Sequence, residues 1–209
     1  KVVVRSAEEG EKFVTLDGVE RTLTANDLMI CSAERPMCIA GVYGGLDSGI
    51  SDETVNVFIE SAYFHPVWVR KTAKRFGLNT DASFRFERGI DPNIQVYALK
   101  RAALLMKELA GGRITSEIID INPTPAKHFE FDFSMERACR LIGKELSEQT
   151  FLTILDALDV EIRDKQGDVL RVAVPPYRVD VQREADLIED VLRVYGYNNI
   201  EVSDHVNST

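Results

Sequence analysis

A stretch with two prolines interrupts the chain a little beyond its middle, and any fold must accommodate that break. Residues 122–125 read Asn-Pro-Thr-Pro, and proline cannot donate the backbone hydrogen bond that a helix interior or a central strand requires. Further on, residues 129–133 alternate phenylalanine with a carboxylate, which predicts the start of a new strand. The sequence therefore predicts two domains, residues 1–122 and residues 123–209.

The first domain is predicted to be an α+β domain with a mixed sheet. Two helices are indicated, Pro66–Phe76 and residues 94–109, and the pair Gly111 and Gly112 ends the second of them. Short apolar runs predict strands at residues 2–5, 12–16, 28–31, 38–42 and 55–60.

The second domain is predicted to continue from its first strand as helix, helix, hairpin and helix. The helices cover about residues 134–142, 147–158 and 184–195, and the hairpin joins residues 160–163 to residues 169–174. This order is similar to a winged-helix arrangement. The fold class is therefore α+β in both domains, with a small winged-helix-like second domain.

Charge and composition disfavour several classes of protein. A net charge of -9 over 209 residues is unsuited to general nucleic-acid binding, which needs a basic face, so no DNA partner is expected. No apolar run approaches the ~18 residues that cross a bilayer, and no membrane partner is expected. Three cysteines without a CxxC spacing favour reduced thiols in a cytoplasmic protein. Because the chain opens on Lys1 instead of Met, we expect a piece of a longer protein.

Residues 77–92 carry the most suggestive pattern of the first domain. A polar turn rich in small residues leads into a run in which Phe84 and Phe86 alternate with charged residues. This alternation predicts a strand that the two rings anchor in the core. The Thr80 and Ser83 hydroxyls beside it could then bind a ligand. The alternative is a surface loop that leads into an edge strand.

An acidic cluster marks the last predicted helix. Asp186, Glu189 and Asp190 follow the spacing i, i+3, i+4, which places them on one helix face, and Asp180 lies in the turn before the helix. Carboxylates gathered without a matching cation repel one another, so a bound Mg²⁺ ion is one interpretation. The other is an acidic, solvent-exposed helix start that the helix dipole favours.

Three stretches of the chain occur in the order and at the spacing of one known family. They are residues 40–45 (Ala-Gly-Val-Tyr-Gly-Gly), residues 60–66 continuing through 77–92, and residues 178–200, which include Glu-Ala-Asp-Leu-Ile-Glu-Asp and Tyr-Gly-Tyr-Asn-Asn-Ile. Together they resemble the bacterial phenylalanyl-tRNA synthetase beta subunit over nearly the whole chain. The resemblance implies most of the editing module and the small module after it, without the tRNA-binding, synthetase-like and anticodon-binding regions.

The resemblance implies a part in an aminoacyl-tRNA ligase. The family's enzyme is a cytoplasmic heterotetramer that uses ATP to join phenylalanine to tRNA(Phe) in its alpha subunit. Its beta subunit hydrolyses tyrosine wrongly attached to that tRNA. The implied partners of this chain are the alpha subunit and tRNA(Phe), and ATP would not bind here. The alternative is a non-catalytic scaffold that positions RNA and contacts the alpha subunit.

By the family motif, Gly44, Glu60, Thr80 and Ala82 would form the editing pocket. Glu60 would accept a hydrogen bond from the tyrosine phenol, whereas phenylalanine would leave this carboxylate unpaired. Gly44 and Ala82 would keep space for the ligand, and Thr80 would orient the ester or the attacking water. Water is the expected nucleophile, because no Ser-His-Asp or Cys-His arrangement is evident. The alternative for Glu60 is a strand-end charge in a surface salt bridge.

The same resemblance assigns the acidic cluster to Mg²⁺ at the contact with the alpha subunit. The implied ligands are Asp180, Asp186, Glu189 and Asp190. The family more often carries Glu where this chain has Asp190, and Met where it has Tyr43. The family's pocket also uses a histidine from the region that precedes Lys1.

Overall fold

The computed structural model describes residues 1–201, and the chain divides into two compact units, Lys1–Pro123 and Thr124–Thr209. Both units combine helices with sheets, which confirms the α+β class. The predicted mixed sheet is wrong, because every strand pair in the described residues is antiparallel. Parallel pairing needs a long crossover, usually a helix, and the strands of the first unit follow one another without an α-helix between them.

The first unit contains a four-stranded sheet, a two-stranded hairpin and α-helices that follow them in the chain. Its strands are β1 (Val3–Ser6), β2 (Lys12–Val14), β3 (Glu20–Thr22), β4 (Leu28–Cys31), β5 (Pro36–Ile39) and β6 (Tyr43–Gly44). Its helices are α1 (Pro66–Phe76), α2 (Asp81–Phe86) and α3 (Gln95–Ala110). The sheet has the order β1-β4-β5-β6, and β2 pairs with β3.

Helix α1 forms where the sequence predicts it, because both of its ends are capped. The His65 Nδ1 atom accepts a hydrogen bond from the Val67 amide at 3.3 Å. Val69 and Ala73 lie in the core of the first unit. The helix ends at Gly77, whose φ of 66° is the left-handed conformation that favours glycine. These caps determine where the connection to α2 begins.

The strand predicted for the run that contains Phe84 and Phe86 is wrong, because Asp81–Phe86 forms helix α2. The Thr80 hydroxyl accepts a hydrogen bond from the Ser83 amide at 3.0 Å, and the Ser83 hydroxyl accepts one from the Thr80 amide at 3.0 Å. Such a reciprocal cap starts a helix. Phe84 is 57% exposed and does not anchor a core strand. Phe86 packs edge-on against another phenylalanine ring, with 4.9 Å between centroids.

Two apolar segments of the first unit remain exposed. The strand predicted at residues 55–60 is wrong, since this segment forms no regular structure and Phe58 is 76% exposed. Alternation alone does not make a strand when no neighbour supplies ladder hydrogen bonds and cross-strand packing. Helix α3 matches its prediction, yet none of its residues is buried, and Leu109 is 81% exposed. Across residues 1–201, no helix has the length and apolar character needed to span a bilayer.

The second unit is built on a three-stranded antiparallel sheet. Its elements are β7 (Phe129–Ser134), α4 (Met135–Ile142), α5 (Glu148–Ala157), β8 (Glu161–Gln166), β9 (Val169–Val174) and α6 (Glu184–Tyr195). The sheet has the order β7-β9-β8, and the predicted sequence of strand, helix, helix, hairpin and helix is confirmed. Phe133, Phe151 and Leu187 are completely buried in its core.

Gly45, directly after β6, is predicted to tolerate no side chain. A Cβ atom there would lie 2.6 Å from the Phe13 Cζ atom and 2.7 Å from the Met37 carbonyl oxygen. We expect Gly45→Ala to lower the free energy of unfolding by about 1–3 kcal/mol through overpacking, measured by chemical denaturation. Gly49→Ala is the matched control, because its Cβ would meet only Leu16, at an ordinary 3.8 Å. Equal stability of the two variants would contradict the prediction.

Candidate functional site

The Thr80 hydroxyl connects α2 to the turn between β5 and β6. It donates a hydrogen bond to the Val42 carbonyl at 2.6 Å while it accepts one from the Ser83 amide. Val42 is buried in the core of the first unit. A hydroxyl has one proton and two lone pairs, so the Thr80 proton is already committed. In this arrangement Thr80 can meet a ligand or a water only as a hydrogen-bond acceptor.

Gly44 lies on β6, close in the chain to the carbonyl that Thr80 contacts. It pairs with Cys38 across the β5–β6 ladder. A Cβ atom at Gly44 would lie 2.9 Å from the Leu16 Cδ1 atom, so Leu16 already occupies the space on that side. The role of Gly44 in keeping a cavity open stays a prediction.

Glu60 follows the irregular segment after β6 and carries an unpaired carboxylate. The residue is exposed overall, yet desolvation by the surrounding protein raises the pKa of its carboxyl above the usual range. Within residues 1–201 no Lys, Arg or His side chain forms an ion pair with it. The alternative of a surface salt bridge therefore finds no partner in the part of the chain described.

The negative charge of Glu60 acts on the thiol of Cys38, a residue of the β5–β6 ladder. Burial, and after it the negative charge of Glu60, raises the pKa of the Cys38 thiol to about 11. Because Cys38 lies opposite Gly44, the carboxylate influences the same strand pair. Sequence reasoning did not identify Cys38, and a lone cysteine in an apolar run offers no signal that would have done so.

The structure groups the four predicted pocket residues unequally. Thr80 and Ala82 share the first turn of α2, and the bond to Val42 ties this turn to the segment that ends in Gly44. Glu60 is related to that segment only through its influence on the Cys38 thiol. Sequence reasoning missed the capping role of the neighbouring Ser83, although its spacing of three residues from Thr80 is a recognised capping signal.

The acidic cluster of the second unit has arginine partners, so the premise that its carboxylates lack cations is wrong. Arg178 forms an ion pair with the buried Asp190. Arg193 contacts Glu189 at 2.5 Å and Asp190 at 3.3 Å. At the start of α6, Arg183 forms an ion pair with Asp186 at 3.0 Å.

The carboxylates assigned to magnesium do not form a metal site as they are arranged. Asp186 also caps α6, where it accepts a hydrogen bond from the Arg183 amide at 3.0 Å and one from the Gln182 amide at 3.2 Å. These bonds and the Arg183 side chain hold the pKa of the Asp186 carboxyl below its usual range. Asp180 is exposed in the preceding turn. Among residues 1–201, no group of three His, Cys, Asp or Glu side chains is placed to hold a metal ion.

Comparison with protein families and known proteins assigns both units. Residues 1–111 match the B3/4 domain, and residues 131–197 match the tRNA synthetase B5 domain. The phenylalanine--tRNA ligase beta subunit of Bacteroides fragilis is 58% identical over 209 residues, which are 100% of this chain and 26% of that protein. The same subunit of Porphyromonas gingivalis is 46% identical over 210 residues, with 100% and 26% covered.

A further curated relative and one solved structure also match the chain. The phenylalanine--tRNA ligase beta subunit of Geobacter sulfurreducens is 46% identical over 202 residues, 97% of this chain and 25% of that protein. An N-terminal fragment of the phenylalanyl-tRNA synthetase beta subunit from Pyrococcus horikoshii shows 18% identity with a TM-score of 0.49, and the match covers 94% of this chain and 56% of that structure. The chain thus spans about a quarter of the length of the curated relatives it matches. It belongs to the phenylalanine--tRNA ligase beta subunit family, of which it contains the B3/4 and B5 regions.

Proposed function

We propose that this chain supplies the editing site of a phenylalanine--tRNA ligase, at which tyrosine is hydrolysed from Tyr-tRNA(Phe). The observation that carries the proposal is the unpaired, partly desolvated carboxylate of Glu60. Ionisable side chains with a shifted pKa are found most often at functional sites. The family of the chain is consistent with this reaction.

Discrimination between tyrosine and phenylalanine follows from hydrogen bonding. The phenol of tyrosine donates a hydrogen bond to Glu60, whereas the phenylalanine ring would cover the carboxylate and leave it without a donor. A site built to bind a hydroxyl strongly rejects an analogue that lacks it. The small side chain of Ala82, exposed on the first turn of α2, leaves space beside the ester.

Hydrolysis needs a water that is oriented toward the ester carbon. Since the Thr80 proton is bound to the Val42 carbonyl, Thr80 orients that water by accepting a hydrogen bond from it. The water oxygen then attacks the ester carbon, and the bond from that carbon to the tRNA ribose oxygen breaks. One proton of the water passes to the ribose oxygen and the other to solvent, so that tyrosine leaves as its carboxylate. Thr80 donates no proton in this step.

Replacement of Glu60 tests the proposed function in the enzyme assembled from an alpha subunit and a beta subunit that contains this chain. We expect Glu60→Gln to slow deacylation of Tyr-tRNA(Phe) by about tenfold, because the glutamine oxygen still accepts the phenol but as a neutral acceptor, which binds it by about 1.4 kcal/mol less than a carboxylate does. The melting temperature should not fall, because the change removes a desolvated charge.

Glu53→Gln is the matched control, since Glu53 is an exposed residue of the same connecting segment. It should hydrolyse Tyr-tRNA(Phe) at the parental rate. Unchanged deacylation by Glu60→Gln, or an equal loss in the control, would sink the assignment of the phenol-binding group.

A non-catalytic scaffold is the second candidate, and the exposed apolar side chains of α3 favour it. Tyr97 is 71% exposed on this helix and Leu109 is more so, as suits a surface that another part of an assembly covers. The scaffold proposal predicts no deacylation of Tyr-tRNA(Phe) by the assembled enzyme at this site. Deacylation that stays at the parental rate after Glu60→Gln would then take place at another site, and it would favour the scaffold.

We also propose that the protein containing this chain assembles with an alpha subunit into a heterotetramer. This heterotetramer would use ATP to charge tRNA(Phe) with phenylalanine. The winged-helix-like interpretation of the second unit, whose acidic α6 is unsuited to phosphate binding, is part of the same proposal. A role for Mg²⁺ at this contact requires the arginine pairs of Glu189 and Asp190 to open first, because the carboxylates do not form a metal site as they stand.

We therefore expect Mg²⁺ alone to leave the melting temperature of this chain unchanged. The arginines Arg178, Arg183 and Arg193 already neutralise the carboxylates, and a ligand stabilises a protein only if it binds the folded state. Differential scanning fluorimetry across a Mg²⁺ titration measures this. A concentration-dependent rise in the melting temperature that Asp186→Asn abolishes would contradict the expectation.

A further inference from the structure

Ser83 is a buried polar residue of the first unit, and it forms hydrogen bonds with Thr80 of the candidate site. It is 2% exposed. Its hydroxyl accepts a hydrogen bond from the Thr80 amide at 3.0 Å and lies 3.0 Å from the Thr80 carbonyl oxygen, to which it can donate. The Ser83 hydroxyl thus accepts one hydrogen bond and can donate another, both with Thr80. Because the residue is buried, it has no direct access to a ligand.

The contacts of Ser83 control the direction of the Thr80 hydroxyl. The Ser83 amide occupies one Thr80 lone pair at 3.0 Å, and the Val42 carbonyl takes the Thr80 proton at 2.6 Å. A hydroxyl has two lone pairs, so one acceptor position remains for a ligand or water. Its direction is set by the two bonds already formed.

We propose that Ser83 is a positioning residue for hydrolysis at this site, acting through Thr80. The inference rests on the proposed editing function. Without the Ser83 hydroxyl, the Thr80 amide loses its acceptor and the first turn of α2 is no longer closed from both sides. Thr80 and Ala82 can then rotate away from the Val42 carbonyl, and the free acceptor position no longer faces one direction.

A merely structural cap and a positioning residue differ in what they change. Loss of a helix cap lowers stability, whereas its effect on the catalysed reaction is limited to the fraction of folded enzyme. Loss of a positioning residue lowers the turnover number of correctly folded enzyme, because small misplacements of a reacting group are costly. It also couples to Thr80, since both residues act through one hydroxyl.

The experiment compares Ser83→Ala, Thr80→Val and the double variant in the assembled enzyme. We expect Ser83→Ala to lower kcat for Tyr-tRNA(Phe) deacylation by about tenfold with little change in KM. The double variant should lose no more activity than Thr80→Val alone. Thr80→Ser, which keeps the hydroxyl, should restore most of the activity that Thr80→Val loses.

Ser147→Ala controls for the general cost of losing a serine cap. Ser147 caps α5, where its hydroxyl accepts a hydrogen bond from the Thr150 amide at 3.1 Å. Its melting temperature should fall about as much as that of Ser83→Ala, while its deacylation rate should stay parental. Parental kcat for Ser83→Ala, a loss in KM alone, or losses that add in the double variant would each overturn the proposal.

Failure of this inference is distinguishable from failure of the proposed function. If Glu60→Gln loses deacylation and Ser83→Ala does not, only the positioning role is wrong. If the parental enzyme does not hydrolyse Tyr-tRNA(Phe), both are wrong. Hydrogen exchange gives a readout besides activity: Ser83→Ala should speed exchange of the Phe84 amide, which bonds to the Thr80 carbonyl at 2.9 Å. Parental exchange would contradict the link between Ser83 and the first turn of α2.

Discussion

Replacement of Asp27 by alanine is expected to lower the free energy of unfolding of the first unit by about 2–4 kcal/mol, the cost of leaving hydrogen-bond donors around a buried carboxylate without their acceptor. Asp27 is fully buried before β4. It accepts hydrogen bonds from the Thr72 hydroxyl at 2.7 Å and from the Thr24 amide at 2.8 Å, and it pairs with Arg75. The loss would leave the buried Thr72 hydroxyl and the Thr24 amide without this acceptor, whereas Arg75 is exposed and keeps its hydrogen bond to the Thr22 carbonyl. Chemical denaturation followed by circular dichroism measures the change.

Glu20→Ala is the control for this prediction. Glu20 also forms a salt bridge, with Lys12 at 3.2 Å, but both side chains are well exposed. Exposed pairs contribute at most about 1 kcal/mol. Similar losses of unfolding free energy in the two variants would contradict the prediction that burial makes Asp27 more important for stability than an exposed carboxylate.

The same carboxylate makes the first unit sensitive to acid. Burial alone would raise the pKa of Asp27, but the Arg75 pair and the hydrogen bonds from Thr24 and Thr72 outweigh it and hold the pKa below its usual range. A lowered pKa in the folded state means that the contribution is complete above the unfolded pKa of about 4. It is lost as the pH falls through the folded value. Asp27→Asn should therefore show a weaker dependence of stability on pH in that acidic range.

Asp190→Ala is expected to cause a larger loss in the second unit, about 3–5 kcal/mol, the cost of breaking a buried charge pair. Asp190 is buried on α6 and pairs with Arg178, most of whose side chain is also buried. Its removal would strand the Arg178 guanidinium, which within residues 1–201 already has a buried Nε atom without a hydrogen-bond partner. Denaturation in Mg²⁺-free buffer measures the change.

Glu189→Ala is the matched control on the same helix. Glu189 pairs with Arg193 but is 60% exposed, so we expect a loss of at most about 1 kcal/mol. Replacing both members of the buried pair, Arg178→Met with Asp190→Leu, should recover much of the stability lost by Asp190→Ala. A buried ion pair is often exchangeable for apolar side chains at little cost. A double variant as unstable as the single one would contradict this account.

Elements with local signals were predicted well from the sequence. Helix α1 has proline at its first position and glycine after its end, both of which are legible in the sequence, whereas the cap at His65 is seen only in the structure. The strands and helices of the second unit follow clear periodic patterns. Failure came where one pattern fits two structures, as at Phe84 and Phe86, where the cap formed by Thr80 and Ser83 decides for a helix.

The sequence motif proposes which residues form the candidate site, whereas their arrangement depends on the fold. The family motif selects Gly44, Glu60, Thr80 and Ala82, and their roles remain proposals. That the Thr80 proton is committed to the Val42 carbonyl depends on two residues brought together by the fold from separate parts of the chain. In the acidic cluster, Arg183 and Arg193 lie at helical spacing from their carboxylates and are visible in the sequence, whereas the pair of Arg178 with Asp190 depends on the fold.

The sequence by itself determined the family of this protein, its α+β class and its helices longer than α2, because motif spacing and hydrophobic period are properties of neighbouring residues. Only the tertiary structure decided which charges are paired with a cation and which acceptors the buried hydroxyls donate to. Asp27 meets Thr72 and Arg75 from far along the chain, whereas Glu60 meets no cation in the part described. Such pairings depend on packing between distant segments, and no local pattern contains them.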